Sequence, residues 1–303
     1  MYILAVGMNQ ETRDKSKLLN SDYFRLLGQS DAQVSLVKDD KGKICVRKEV
    51  PSSQSKKLFA QFQKHNSATK FELMKPISVP LILSDFSRNE YLMEYIAGNP
   101  VGKFLEVCDS EELNSIIGQV IEYLERAYCS GGSEISRRDI LSFFEKKLIR
   151  CISALDNNWL SLKLADEKEA LVNMFGERIY LQRWSHGDFS FENLLVTQSS
   201  KVNAIDFLDS EIDLIELDWG RIWLDVKFGW WAFANNRTAN GEMNLSRFKS
   251  ALVIKAELIG LSKRELDKFA LLAAIRILPY TVKPTRRGHM LFAIDNLVDT
   301  LLK

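Results

Sequence analysis

The stretch Ser185-His186-Gly187-Asp188-Phe189-Ser190-Phe191-Glu192-Asn193-Leu194-Leu195-Val196 continues as Val202-Asn203-Ala204-Ile205-Asp206-Phe207-Leu208-Asp209 after a short turn. An Asp is followed by an Asn five residues on, and by a second Asp thirteen residues after that Asn. A strand over 194–196 and a turn through Ser199 and Ser200 lie between them. This spacing suits phosphoryl transfer. Asp188 can orient an attacking hydroxyl and accept its proton. The amide oxygen of Asn193 and the carboxylate of Asp206 can hold magnesium on nucleotide phosphates. That cation takes hard oxygen ligands and keeps several waters, so two protein donors suffice.

These residues resemble the H-G-D-x-x-x-x-N and I-D-F motifs of the aminoglycoside phosphotransferase and choline kinase group. The resemblance covers roughly residues 25 to 300. It implies an α+β, bilobal, protein-kinase-like fold, with a small β-rich N-lobe and a larger, mainly helical C-lobe. It also implies phosphorylation of a small-molecule hydroxyl by ATP, or another nucleoside triphosphate, with Mg2+. The nucleotide-binding lobe would span 1–97, with a hinge at about 94–98, and the catalytic and acceptor-binding lobe 98–303. His186 is implied to brace the loop. So is Asp218, which stands where the family has a D-L-A-like motif, here Asp218-Trp219-Gly220.

Composition agrees. A chain of 303 residues, 46% hydrophobic, can bury a sizeable core. A formal net charge of +1 argues against a nucleic-acid-binding surface. Cys45, Cys108, Cys129 and Cys151 form no C-x-x-C pair and read as reduced, mostly buried thiols of a cytoplasmic protein. The apolar run Tyr2 to Met8 lacks a basic flank and reads as a strand, not a signal peptide. The run Phe269 to Tyr280 is too short to span a bilayer and is broken by Arg276 and Pro279, so no integral membrane segment is expected.

In the N-terminal third, Gln33 to Val37 and Ile44 to Val50 read as strands around a turn at Asp39 to Gly42. Cys45-Val46-Arg47-Lys48 resembles the V-A-I-K strand of kinases. Period-two geometry sets Val46 and Lys48 on one face and Arg47 on the other. Val46 would then roof the adenine and Lys48 reach the α- and β-phosphates, with Arg47 as the rival cation. Kinases often carry a glycine-rich loop before this strand, whereas here only Gly28 is present. Ser30 reads either as a phosphate contact or as part of an ordinary turn. Ser53 to Asn66 reads as a helix, with Leu58, Phe59 and Phe62 on one face. No acidic residue lies between Pro51 and Phe71, so the Glu that kinases pair with the strand Lys is absent. Gln61 is the nearest substitute, or simply an exposed helix residue. Gln61 with Lys64 resembles a subgroup associated with bacterial surface polysaccharide synthesis. Glu90 to Tyr95 and Ile96-Ala97-Gly98 resemble the strand and hinge, where backbone groups of Glu94, Tyr95 and Ile96 would meet the adenine edge.

The remainder reads as helical. Asp109 with Glu112 and Ser136 with Asp139 have capping-box spacing ahead of apolar stripes. Lys163 to Phe175 is expected as a further helix. The run Glu211, Asp213, Glu216, Asp218 reads either as an acidic face for a polycationic aminoglycoside or as a solvated loop with one structural Asp. Asp209 is a candidate acceptor or metal contact. Trp219, Trp223, Trp230 and Trp231 read as core stripe or as a wall for a sugar or quaternary ammonium. Arg276, within an apolar helix pattern, needs an acidic partner, and Thr285 to Gly288 reads either as a basic turn that touches an anionic acceptor or, better supported, as a solvated turn. The interval from Asp206 to Asp218 is too short for a polypeptide-docking activation segment. The acceptor favoured is a sugar hydroxyl of a surface-polysaccharide or lipopolysaccharide pathway. An aminoglycoside, choline or ethanolamine acceptor, or a non-catalytic nucleotide-binding regulator, are the alternatives.

Overall fold

The computed structural model describes residues 24–26, 32–71, 74–156, 158–208, 210–229 and 238–303. Ser30, Asp209, Trp230, Trp231, Gly28 and the run from Tyr2 to Met8 lie outside them. The described elements begin with β1 (Phe24–Leu26), β2 (Gln33–Lys38), β3 (Ile44–Glu49), α1 (Ser55–Ala68), β4 (Glu90–Glu94) and β5 (Gly98–Pro100). Next come α2 (Val101–Phe104), α3 (Ser110–Cys129), β6 (Ser133–Ile135), α4 (Arg137–Ser153), α5 (Trp159–Asp166) and α6 (Lys168–Asn173). The chain continues through β7 (Tyr180–Gln182), β8 (Leu194–Thr197), β9 (Val202–Ala204), α7 (Ile215–Phe228), α8 (Ala239–Leu258), α9 (Lys263–Ile277) and α10 (Pro284–Leu302). By contact density the chain forms two compact units, Met1–Val120 with Phe191–Asp209, and Ile121–Ser190 with Ser210–Lys303.

The first unit holds an antiparallel sheet in the order β1-β2-β3-β4 and a smaller one in the order β5-β8-β9. The β2–β3 hairpin is set by Asp39, whose Oδ1 accepts the backbone N–H groups of Lys41 (2.9 Å) and Lys43 (2.8 Å). Strand alternation buries Val46 and Lys48 and leaves Arg47 half-buried. Val46 faces Met93 and Lys48 faces Tyr91 in the β3–β4 register. One apolar cluster joins Val34, Val46, Tyr91 and Met93 to Leu58 of α1 and to Leu195 and Ile205 beside the β8–β9 hairpin. Phe59 does not share the buried face of Leu58. It is exposed and stacks on Phe62 at 6.2 Å, because Phe86 offers it an edge at 5.2 Å near the surface.

The second unit is helical apart from the β6–β7 pair. Ser136 caps α4 by accepting the N–H of Asp139, and its stripe buries Ile140, Phe144 and Leu148. The helix expected from Lys163 to Phe175 is instead two short helices and a 3₁₀ turn. Asn158 caps the first by accepting the Leu160 N–H, and Glu167 leaves helical geometry between them. Helix α7 is buried at every position from Ile215 to Val226. A helix so enclosed needs close neighbours, and Gly220 permits one. A Cβ there would sit 2.3 Å from the Phe269 carbonyl carbon, so α7 and α9 meet backbone to backbone. The Gly of Asp-Trp-Gly is therefore a packing requirement. Trp219 and Trp223 are fully buried core residues, and their indole N–H groups donate to Leu124 O (3.3 Å) and Asp267 Oδ1 (2.7 Å). Each indole removes about 200 Å² from water, worth on the order of 5 kcal/mol at about 25 cal/mol per Å².

Candidate active site

In the first unit, Lys48 is the centre. It is only 2% exposed, and its Nζ donates to Asp206 Oδ1 at 2.6 Å and to Gln61 Oε1 at 2.9 Å. Burial by itself would lower the Lys48 pKa. Asp206, with a smaller contribution from Tyr91, outweighs it, and the net shift is upward. A buried ammonium at hydrogen-bond distance from a carboxylate is the partner such a cation requires. The rival cation Arg47 faces Glu90 at 3.8 Å instead. Gln61 is thus buried against Lys48, not exposed.

Asp206 adopts φ = +62°, in the left-handed region that few non-glycine residues occupy. Such backbone persists only where surrounding structure fixes it, and it clusters at functional sites. The fixing comes from the β8–β9 hairpin, where Leu194 faces Ala204 and the Ile205 N–H donates to the Asn193 carbonyl at 2.9 Å. Asn193, almost fully buried, and Asp206 therefore share one end of the hairpin. Together they supply one amide and one carboxylate oxygen, a donor set that fits magnesium.

Two neighbours on α1 reach the segment around Asp206: Lys64, noted in the sequence only for its resemblance beside Gln61, and His65, which the sequence reading missed. Lys64 Nζ donates to the Leu208 carbonyl at 2.8 Å, tethering the segment after Asp206. His65 is buried, lies 5.2 Å from the Phe207 ring, and makes a 2.8 Å bond to the Pro80 carbonyl. A carbonyl only accepts, so His65 Nε2 carries the proton. Burial drives its pKa down to about 4. The available signal was Gln61, Lys64 and His65 recurring at three and four residues, one helix face. At the expected hinge, the Glu94 N–H donates to Leu81 O (2.8 Å) and the Ile96 carbonyl accepts from Gly98 (3.0 Å). Tyr95 and Ile96 pack against the apolar cluster that contains Val46.

In the second unit, Asp218 in the first turn of α7 organises the loop. Its carboxylate accepts the backbone N–H of His186 (2.6 Å), the backbone N–H of Gly187 (2.9 Å) and the Tyr123 hydroxyl (2.9 Å). Gly187 turns the chain at φ = +88°, which glycine alone adopts without strain. His186 is fully buried, and its Nδ1 accepts the Asp188 backbone N–H at 3.3 Å. The Asp188 side chain remains 23% exposed and meets Arg221, whose Nε donates to Asp188 Oδ1 at 2.9 Å. Arg221 Nη1 donates to the fully buried Asp225 at 2.6 Å. The guanidinium fork thus ties the rotamer of Asp188 to the core of α7. Arg221 was missed too, though an Arg and an Asp at i, i+4 in an apolar helix are a legible pair.

A profile of the phosphotransferase enzyme family, APH, matches residues 24–246. No curated protein matches the chain. Solved structures do. A thermostable mutant of aminoglycoside phosphotransferase APH(4)-Ia, in ternary complex with ADP and hygromycin B, superposes with TM-score 0.65 and 14% identity over 94% of this chain and 97% of that one. An ethanolamine kinase of Plasmodium vivax gives 0.55 and 13% over 91% and 82%. A glucosamine kinase gives 0.53 and 9% over 91% and 93%. These likenesses place the fold among bilobal, kinase-like α+β structures. With the profile spanning 24–246 of 303 residues, the chain belongs to the phosphotransferase enzyme family and is a phosphotransferase of small molecules.

Proposed function

We propose that this enzyme transfers the γ-phosphoryl group of ATP to a hydroxyl of a sugar or glycan precursor of surface polysaccharide or lipopolysaccharide. Asn193 and Asp206 would hold a magnesium ion. When bound, that ion neutralises charge on the nucleotide phosphates. Lys48 binds the phosphates, with Gln61 fixing its ammonium. Val46 would roof the adenine, and Glu94 to Ile96 would meet its edge with backbone groups. Asp188 orients the acceptor hydroxyl and takes its proton, its carboxylate aimed by Arg221. His186 and Asp218 hold the loop and stay outside the chemistry.

One observation carries the acceptor class, the internal use of the acidic run. Glu211 pairs with Lys147 (2.8 Å) and Lys146 (3.8 Å), and Asp213 accepts from the Ser185 hydroxyl (3.2 Å). Glu216 is fully buried 3.7 Å from Arg183, and Asp218 serves the loop. A polycationic acceptor needs carboxylates not already engaged, and a quaternary ammonium needs an aromatic cage. Of the four candidate tryptophans, the two among the described residues, Trp219 and Trp223, are buried in the core and provide none. A sugar, bound by hydrogen bonds, needs neither. The test is an ATP-consumption screen over sugars, aminoglycosides and amino alcohols, with Asp188→Asn as the blank. Turnover of sugars alone is expected. Turnover of kanamycin or choline alone would reject the acceptor class and leave the kinase chemistry standing.

A further inference from the structure

We infer that Gln61, by being neutral, makes Asp206 the shared counter-ion of Lys48 and the metal, so that the divalent cation is taken up together with the nucleotide phosphates and not before them. The inference rests on the reading that Asn193 and Asp206 hold magnesium. It adds a positioning role for Gln61, which acts through Lys48.

Four side chains of the first unit set the charge balance. Lys48 Nζ has two acceptors, Asp206 Oδ1 at 2.6 Å and Gln61 Oε1 at 2.9 Å. Only the first is charged. Among the described residues no other carboxylate bonds to Lys48, and α1, which brings Gln61 to it, has no acidic residue at any position. Asn193 is neutral as well. One carboxylate therefore balances one buried ammonium, and the group of four carries no net charge. A divalent cation arriving alone would add two positive charges to this largely buried group, where charge without a partner is costly. Bonded to Asp206 Oδ1 at about 2.1 Å, it would lie within about 5 Å of the Lys48 ammonium and be repelled by it. If it took Asp206 for itself, it would strip a cation only 2% exposed of the one carboxylate bonded to it. Nucleotide phosphates remove both obstacles. Their oxygens give Lys48 new acceptors and give the metal further anionic ligands. A carboxylate in place of the Gln61 amide, 2.9 Å from the ammonium, would release Asp206 to the metal without them.

The test titrates Mn2+, which takes the same oxygen ligands as magnesium, into the full chain without nucleotide. The electron paramagnetic resonance signal of the free ion reports binding. Gln61→Glu is expected to bind Mn2+ about 10- to 100-fold more tightly than the parent, because freeing Asp206 no longer breaks an uncompensated charged hydrogen bond. Lys48→Gln, which withdraws the ammonium itself, should also tighten it. Gln61→Ala removes the contact without adding charge and should not. Saturating ADP, corrected for the metal it binds in solution, should tighten Mn2+ on the parent and do so less on Gln61→Glu, since metal and nucleotide are coupled through Lys48. A parent that binds Mn2+ alone as tightly as Gln61→Glu and Lys48→Gln overturns the inference, and so does equal tightening by Gln61→Ala. Asp206→Asn on the Gln61→Glu background separates the inference from the reading beneath it. If Mn2+ still binds tightly, Asp206 is not a ligand, and the magnesium reading falls with the inference. If Asp206→Asn abolishes binding that Gln61→Glu had left at the parent's level, only the inference falls. Metal-free thermal melts show which variants keep the fold, and Lys48→Gln decides should Gln61→Glu lose it.

Discussion

The two units hold their candidate site residues in different ways. In the first, a single buried ion pair, Lys48–Asp206, joins residues 158 apart in sequence and is also part of the core. In the second, Asp188, the proposed base, stands on a loop whose backbone N–H groups are held by Asp218, and its own side chain is partly exposed. Removing a group from the Lys48–Asp206 pair should therefore damage folding and chemistry together. In the second, chemistry can be removed while the scaffold stands. The difference suits the roles proposed for each. A cation that holds phosphates needs an exchangeable anion beside it. A group that orients a hydroxyl needs only a fixed direction.

Asp206→Ala puts the comparison under the greatest load. It should abolish turnover and the magnesium dependence of nucleotide binding. It should also cost about 3–5 kcal/mol of stability, because Lys48 is left buried without its anion. Nucleotide titrations with and without magnesium, and denaturant unfolding, measure both. A variant that is inactive but as stable as the parent would mean that the pair is not part of the core.

Asp188→Asn should lower turnover by about 10²- to 10⁴-fold, the usual contribution of a general base. Nucleotide affinity and melting temperature should barely move, since the Asp218 clamp is intact. Steady-state kinetics and a thermal melt decide it. A melting loss as large as that of Asp206→Ala would erase the distinction between the halves.

His65 sharpens the comparison through pH. Its pKa is about 4 in the folded protein, against an ordinary value of 6.5. Between those values the unfolded chain binds the extra proton, so the folded state loses stability as pH falls. The contribution is complete above pH 6.5 and is lost progressively down to pH 4, amounting to about 3 kcal/mol. Unfolding curves from pH 7 to 4 should show this slope, and His65→Leu should flatten it. An unchanged slope in the variant would assign the acid sensitivity to other groups.

The smallest effect belongs to Gln61→Ala. It removes one acceptor from the Lys48 ammonium and leaves Asp206 in place, for a loss of about 1.5–3 kcal/mol. The KM for ATP should rise more than kcat falls. Gln61→Glu should preserve binding of Lys48. If Ala and Glu behave alike, the hydrogen bond has no part in the site.

Much of this was legible in the chain. Alternation on β3 separated Lys48 from Arg47, because a strand turns successive side chains to opposite faces. The cap at Ser136 followed from local chemistry in the same way. Such features depend on residues a few positions apart. The missed break at Glu167 is also local, but its signal, the Asn158 cap, stood ahead of the segment read as a helix.

What the sequence by itself determined is the family and the kinase-like fold class, since the Asp-Asn-Asp spacing that carries the resemblance lies within twenty positions. Only the tertiary structure decided which partners the candidate residues have. It put Gln61 against Lys48 rather than on an exposed helix face, gave Arg221 to Asp188, and engaged Glu211 with Lys147 and Asp213 with the Ser185 hydroxyl. It also placed both α7 tryptophans in the core. The physical reason is distance along the chain. Spacing and periodicity report neighbours within a strand or a helix turn. A buried charge is satisfied by whichever partner tertiary packing brings within 3 Å of it, as Arg221 meets Asp188.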